Sequence, residues 1–294
     1  MRATVLLSVV ALLTAACSDS DADGSGGDGG STSVTGATTT GGSTTSGVTG
    51  SSTTGTGATA STGTGTSTGG CESYAFCEDF ESGNPGEVPP GWTEKAGWDQ
   101  GGSRALLSTE EKHGGAQSLK SAVGVNGQYR IEHSLGDLGP LATSHWGRIF
   151  YKVKTPVSLD NQYIHNTFVA FGRPQTSNGS ESRVVDTVMA PDGTHQFLFN
   201  VPDDSCCAGS SYDFAYDSDW HCVEWNVDGA TESFRFYYDG TEVTDIAFEN
   251  VDGAHISDFE SVIVGWINYQ SPSVPNEGWF DDLAIDDERI GCGP

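Results

Sequence analysis

No stretch of this chain carries a convincing helical hydrophobic period. That absence, set against a long series of short β-rich runs, constrains the fold more than any other feature. Runs at 128–132, 146–154, 162–171, 183–189, 195–201, 220–228, 232–238, 260–269 and 278–285 are rich in Val, Ile, Phe, Tyr and Thr, and Gly, Asp, Asn and Pro punctuate them. This is the pattern of half-buried strands separated by turns. The one short helix candidate is 109–113. Many short strands with frequent turn signals imply an all-β protein, two antiparallel sheets packed as a sandwich of jelly-roll type. Asp239-Gly240 reads as a hairpin turn. In the run 220–228, Val223, Trp225 and Val227 form the core face, and Cys222, Glu224, Asn226 and Asp228 point the other way.

The last run organises the fold. Read with period 2, Asp281, Leu283 and Ile285 share one face of 278–285. If the two apolar residues point inward, so does Asp281, and a buried carboxylate needs a partner. The first strand, opening at Glu78, offers Asp79 and Glu81. The expectation is a fold closed by a structural Ca²⁺ between first and last strands, held by Asp79, Glu81 and Asp281, since an all-oxygen donor set suits that ion.

Composition divides the chain. All 29 aromatic residues lie after residue 70, so the fold belongs to 71–294, a plausible single large β domain. That part holds 36 acidic and 12 basic residues, a formal charge of −24. Such a field excludes nucleic acid as a partner and repels anionic lipid headgroups. The segment 18–70 is almost wholly Gly, Ser and Thr, without aromatic, Leu, Ile or Pro. It cannot offset its chain entropy and is expected to be a disordered tether averaging roughly 40 Å end to end. Before it, a short positive start and an apolar run from Val5 to Leu13 read as a secretory signal. The sequence Leu13-Thr14-Ala15-Ala16-Cys17 resembles the lipobox of bacterial lipoproteins, which implies lipidation of Cys17 and a membrane attachment through that anchor alone. Ser18 after the Cys favours the outer membrane of a Gram-negative host by the same resemblance. The domain is expected to work as a monomer at the cell envelope or outside the cell.

Six cysteines remain beyond Cys17, and an even number in an exported domain implies disulfides. Cys222 is expected to meet Cys206 or Cys207, and Cys292 to meet Cys71 or Cys77. Zinc is not expected, because no Cys-x-x-Cys pair is present.

Three places could carry chemistry. In 148–154, Arg148, Lys152 and Lys154 share a face with Phe150, a quarter of the domain's basic residues on one side of one strand. A basic strip with an aromatic suits an acidic sugar; a solvated face paired with neighbouring acids is the plainer alternative. His165 could accept a proton, with Asn166 or Gln162 as sugar ligands. Trp266, Asn268, Tyr269 and Gln270 mix ring faces with amides that bond hydroxyls; Trp266 and Tyr269 could equally be core aromatics. No Gly-x-Ser-x-Gly, P-loop or zinc motif appears, and the Glu-x-Asp-x-x-Glu of retaining glucanases is absent.

Two resemblances follow from these residues. Asp79-Phe80-Glu81-Ser82-Gly83, Gly91-Trp92, His113-Gly114 and Ser118-Leu119 resemble the opening of carbohydrate-binding jelly-roll modules. In those, Glu81, the backbone near Lys112 and His113, and Asp281 would ligate Ca²⁺. Gly147-Arg148, His165, 220–225, Gly265-Trp266 with Tyr269-Gln270, and Trp279 to Asp282 with Glu288 to Cys292 resemble the polysaccharide-lyase-like secreted proteins, the fungal cellulose-induced proteins and their bacterial relatives. The resemblance implies a concanavalin A-like jelly roll and β-elimination beside a uronate. Arg148, Asn166 and Gln270 would neutralise the carboxylate, His165 would be the base, and Tyr269 the acid or a second base, with Lys152 and Trp266 holding sugar. The alternative is a tethered protein that binds glycan without cleaving it. The basic strip and His165–Tyr269 in one groove would favour the enzyme; opposite sheets would favour the binder.

Overall fold

The computed structural model describes residues 71–95, 102–124, 127–176, 179–201, 207–251, 256, 259–270 and 272–293. The apolar leader, Cys17, the tether and Cys206 lie outside the described residues. The described strands are, in chain order, β1 (Phe76–Glu78), β2 (Thr93–Glu94), β3 (Gly102–Ser108), β4 (Ser118–Val123), β5 (Gly127–Ser134), β6 (Ser144–Val153), β7 (Ile164–Thr176) and β8 (Gly179–Met189). They continue with β9 (Thr194–Asn200), β10 (Cys207–Gly209), β11 (Phe214–Ala215), β12 (Trp220–Asp228), β13 (Ser233–Tyr238), β14 (Thr241–Glu242), β15 (Ser261–Asn268) and β16 (Asn276–Asp286). They make two antiparallel sheets packed as a sandwich. One runs β14-β13-β12-β6-β16-β4-β3, with β1 also on β16; the other runs β10-β9-β8-β7-β15-β5-β2, with β11 also on β9.

Alternation builds the core. Val223, Trp225 and Val227 of β12 are buried with Phe234 and Phe236 of β13, and they face Phe168, Phe171, Phe197, Phe199 and Trp266 from the second sheet. Each such burial contributes about 1.5–3 kcal/mol. The Trp225 indole lies over Gly147 of the neighbouring strand and donates to His145 Nε2 at 3.0 Å, while His145 Nδ1 donates to the Leu141 carbonyl at 2.7 Å. Burial pushes His145 down to about 4, so it stays neutral and can accept that bond. A Cβ on Gly147 would sit 2.1 Å from the indole ring. Gly147→Ala is therefore expected to cost about 2–3 kcal/mol in urea unfolding; an unchanged midpoint would show that the indole is not seated there.

At the Asp239-Gly240 turn between β13 and β14 both residues have positive φ, 47° and 77°, as a tight hairpin requires. The 109–113 segment is not helical. It lies in the β3–β4 connection, where Ser118 Oγ donates to Glu111 O at 2.7 Å.

The first and last strands do pair, Phe76 opposite Ile285 and Glu78 opposite Leu283. Two details of this closure differ from the period-2 reading. Strand β1 ends at Glu78, because Phe80 takes a left-handed backbone, φ 53°, so Asp79 and Glu81 lie beyond it. In β16 the register with β6 shifts between Asp281 and Ala284, and Asp282 has φ 50°. This bulge puts Phe280 in the core together with Leu283 and Ile285. Asp281 is thereby turned to the outer face, opposite Phe150, where the β3–β4 connection covers it.

Among the described residues the disulfides are Cys71–Cys77 and Cys222–Cys292, which corrects both expected pairings. The chain after β16 crosses the outer face of β6 to reach β12, so Cys292 meets Cys222. Buried Glu224 holds that crossing: it receives Arg289 Nη2 at 2.8 Å and Gly291 N at 2.8 Å.

Candidate functional site

The outer face of the second sheet carries a network of polar side chains on adjacent strands. On β7 the inward residues Ile164, Asn166 and Phe168 alternate with His165 and Thr167, which face out. From β8, Asp186 is fully buried and serves both: His165 Nε2 lies 2.7 Å from its Oδ2, and Thr167 Oγ1 donates to its Oδ1 at 2.6 Å. Asn200 of β9 adds a bond to Asp186 Oδ2 at 3.2 Å. Beyond the end of β15, Tyr269 places its ring 4.6 Å from the His165 ring and its hydroxyl 3.3 Å from Thr167 Oγ1. The Arg183 guanidinium sits over the Tyr269 ring, 4.6 Å from its centre. Burial pushes the Tyr269 phenol well above its ordinary range, so it keeps its proton at neutral pH.

A second polar group lies beside this one. Arg130 of β5 makes a two-pronged pair with Glu181 of β8, at 3.0 and 2.9 Å, and donates from Nε to Gln128 at 2.8 Å. Strands β15 and β7 lie between them. Gly265 opposite Arg130, and Gly172 opposite Glu181, carry no side chain that would block the contact. Gly265 is held at φ 134°, and a Cβ there would meet Tyr129 O at 2.4 Å. Burial alone would raise Glu181, but Arg130 outweighs it and holds the carboxyl below its ordinary range.

The sequence-predicted residues divide between the faces. His165, Tyr269 and Gln270 come together: the Gln270 side-chain oxygen accepts the His165 backbone N–H, and Tyr269 N donates to His165 O at 3.1 Å. Asn166 and Trp266 are absent from this surface. Both are fully buried between the sheets, with Trp266 Nε1 donating to Asn166 Oδ1 at 2.9 Å. Their strand positions alternate with the outward ones, so they are core residues and not sugar ligands.

Arg148 and Lys152 are on the other sheet altogether. Arg148 is buried against the rings of Tyr74 and Phe150 and donates to Gly291 O at 3.3 Å, bracing the C-terminal crossing. Lys152 pairs with Glu111 at 2.9 Å and Lys154 with Glu277 at 2.8 Å. The basic strip is a set of structural pairs, and the guanidinium groups near Tyr269 are Arg183 and Arg130.

The missed residues left one legible signal. Asp186 stands in Val184-Val185-Asp186-Thr187-Val188, a carboxylate in the mostly apolar second half of β8. Such a group must find donors. Arg130 and Arg183 gave no comparable signal: Arg130 lies in a run with ordinary polar alternation, and Arg183 ends a polar stretch, Glu181-Ser182-Arg183, that reads as a solvated strand end.

The carboxylates near the strand closure bracket the 113–117 turn. Asp281, fully buried, accepts His113 N at 2.8 Å, Gly114 N at 3.2 Å and Asp282 N at 3.0 Å. Glu81 Oε1 accepts Ala116 N at 2.8 Å and Gln117 N at 3.0 Å. Asp79 instead accepts Glu81 N at 3.1 Å. Burial first, and the adjacent Asp282 second, push Asp281 up to about 8. A buried carboxyl next to a second one is the environment a cation would relieve, so Asp281 and Glu81 fit a hard ion such as Ca²⁺ in donor chemistry. Among the described residues no three His, Cys, Asp or Glu side chains converge, so main-chain carbonyls would have to complete the shell.

Fold and site together define a jelly-roll β-sandwich with a His–Asp–Tyr–Arg cluster on one sheet. No protein-family profile matches the chain, and no curated protein does. Among solved structures, cellulose induced protein Cip1 has the same fold: TM-score 0.55 at 20% identity, over 74% of this chain and 100% of its own. Weaker likenesses include a carbohydrate esterase of Shiga toxin-encoding bacteriophage phi24B, TM-score 0.43 at 14% identity over 66% of this chain and 89% of that one. Trypanosoma rangeli sialidase reaches TM-score 0.39 at 10% identity, over 59% of this chain and 26% of its own.

Proposed function

We propose that the domain from Cys71 onward binds a uronate-containing polysaccharide on the outer face of its second sheet and cleaves it by β-elimination. The observation that carries this reading is the meeting of three groups: an imidazole backed by a buried carboxylate, a phenol beside it that keeps its proton, and a guanidinium over the phenol ring. A carbohydrate setting is also consistent with the fold shared with a cellulose-induced protein.

Each group has one task. With Asp186 at Nε2, that nitrogen carries the proton and Nδ1 keeps its lone pair. Nδ1 has no partner among the described residues and takes the proton from the carbon next to the uronate carboxylate. The electron pair released forms a carbon–carbon double bond, and the bond to the leaving glycosidic oxygen breaks. The Tyr269 hydroxyl protonates that oxygen. Arg183 offsets the charge that builds on the uronate carboxylate, and a low-polarity setting strengthens that attraction. Asp186 stabilises the imidazolium.

The same reading includes export and attachment: Cys17 as a lipidated first residue, the Gly/Ser/Thr segment as tether, and the domain held at the cell envelope. It also includes a structural Ca²⁺ at Asp281 and Glu81.

The direct test incubates the domain, with Ca²⁺, against glucuronan, alginate, pectate and ulvan, following the ultraviolet absorbance of unsaturated uronate. A rise on one polymer is expected. A folded domain that is retained by a glycan but gives a flat trace on all of them would make it a binding protein. The separation of Arg148 and Lys152 from His165 and Tyr269 on opposite sheets favours that second reading, and Arg183 over the Tyr269 ring favours the first.

A further inference from the structure

Three large apolar side chains are exposed among the described residues: Tyr163 at 58%, Tyr212 at 37% and Val274 at 59%. They are not scattered. Tyr163 and Tyr212 touch edge to face, with ring centres 6.3 Å apart and planes at 69°. Val274 lies on the loop between β15 and β16, which is tied to the loop before β7: Ser273 Oγ donates to Asp160 Oδ1 at 2.9 Å and Ser158 N to Asn276 Oδ1 at 3.0 Å. In the latter loop, Asp160 and Asn161 both have left-handed backbones, φ 50° and 55°, immediately before Tyr163 leaves into solvent.

Tyr163 stands two residues before His165, so the pair begins about 7 Å along the strand from the proposed base. Beside Tyr212, Ser211 and Asp213 line a cavity of about 400 Å³ with Phe214, Tyr238 and Thr241. The surroundings are acidic: Asp160, Asp213, Asp239, Glu242 and Asp245 are near, and the domain is strongly negative. A ring bearing a carboxylate would be repelled here. A ring with one apolar face and neutral hydroxyls would not: the phenol faces cover its C–H surface, and Ser and Asp oxygens bond its hydroxyls. We propose that Tyr163 and Tyr212 form a stacking subsite for an uncharged pyranose, at the end of the sheet that carries His165. The occupant is a neutral glycan segment. This goes beyond the elimination chemistry and holds with or without cleavage.

Affinity electrophoresis of the folded domain through gels containing soluble xylan, mannan or mixed-linkage glucan tests it. At least one neutral polymer is expected to retard the protein. Tyr163→Ala and Tyr212→Ala are each expected to weaken that retention about tenfold, with Tyr163→Phe restoring it because the ring is kept. His165→Ala is expected to leave it unchanged, which separates this subsite from the elimination site. Both tyrosines are exposed, so their variants are expected to fold, and thermal unfolding checks it. Retention unaffected by either alanine variant would overturn the proposal, as would the absence of retention by any neutral polymer. A concentration-dependent dimer abolished by Tyr163→Ala would overturn it too, by assigning the patch to a second copy of the chain.

Discussion

His165→Ala is expected to abolish formation of unsaturated uronate, lowering kcat/KM by about a thousandfold or more, with the fold intact. The reason is positional. His165 is the imidazole that stands beside the Tyr269 phenol and is backed by a buried carboxylate. A positioned general base is worth about 10²–10⁴ in rate. Asp186→Asn keeps the volume but removes the charge that would stabilise the imidazolium, so a fall of about 10–100-fold in kcat with little change in KM is expected. Tyr269→Phe keeps the ring under Arg183 and removes only the donor; a loss of about a hundredfold in kcat should follow. Activity retained in His165→Ala would sink the assignment of the base. Activity retained in Tyr269→Phe would move the acid elsewhere.

The second large effect concerns stability. Asp281 is fully buried and its carboxyl is raised from 3.8 to about 8, burial being the larger cause and Asp282 the smaller. A raised acid favours the protonated folded state. The contribution is therefore complete below about pH 4 and is lost as pH rises towards 8. Forcing the ionised form in the fold costs roughly 6 kcal/mol on this shift. In chelator, Tm should fall steadily between pH 5 and pH 8. Added Ca²⁺ favours the ionised carboxylate, so it should restore Tm strongly at pH 8 and little at pH 5. Asp281→Asn should flatten both dependences. A Tm in chelator that is level across this range and indifferent to Ca²⁺ would remove the ion from this site.

Much of the fold was legible from alternation alone. Strand β12 spans the expected residues, and its core face is Val223, Trp225 and Val227 as period 2 requires. The Asp239-Gly240 hairpin was equally local. Where the reading failed, the cause was a break in local order. The bulge at Asp281–Ala284 reversed which face Asp281 shares, and the left-handed Phe80 ended the first strand early. The disulfides failed for a different reason: their pairing depends on the path of the chain after β16, which no spacing encodes.

The candidate site divides in the same way. His165, Tyr269 and Gln270 could be singled out by residue type, since few side chains can move a proton or bond a sugar. Their union with Asp186, Arg183 and Arg130 is made by the order β9-β8-β7-β15-β5, which brings together residues far apart in the chain. Arg148 shows the limit most plainly. Its chemistry suits a uronate, yet sheet order placed it under the C-terminal crossing, where it braces a carbonyl. Composition, charge and alternation were properties of the chain and determined an acidic two-sheet β domain. Which charged groups meet was decided by strand order and register, because these contacts are made across strands and cost nothing in local preference.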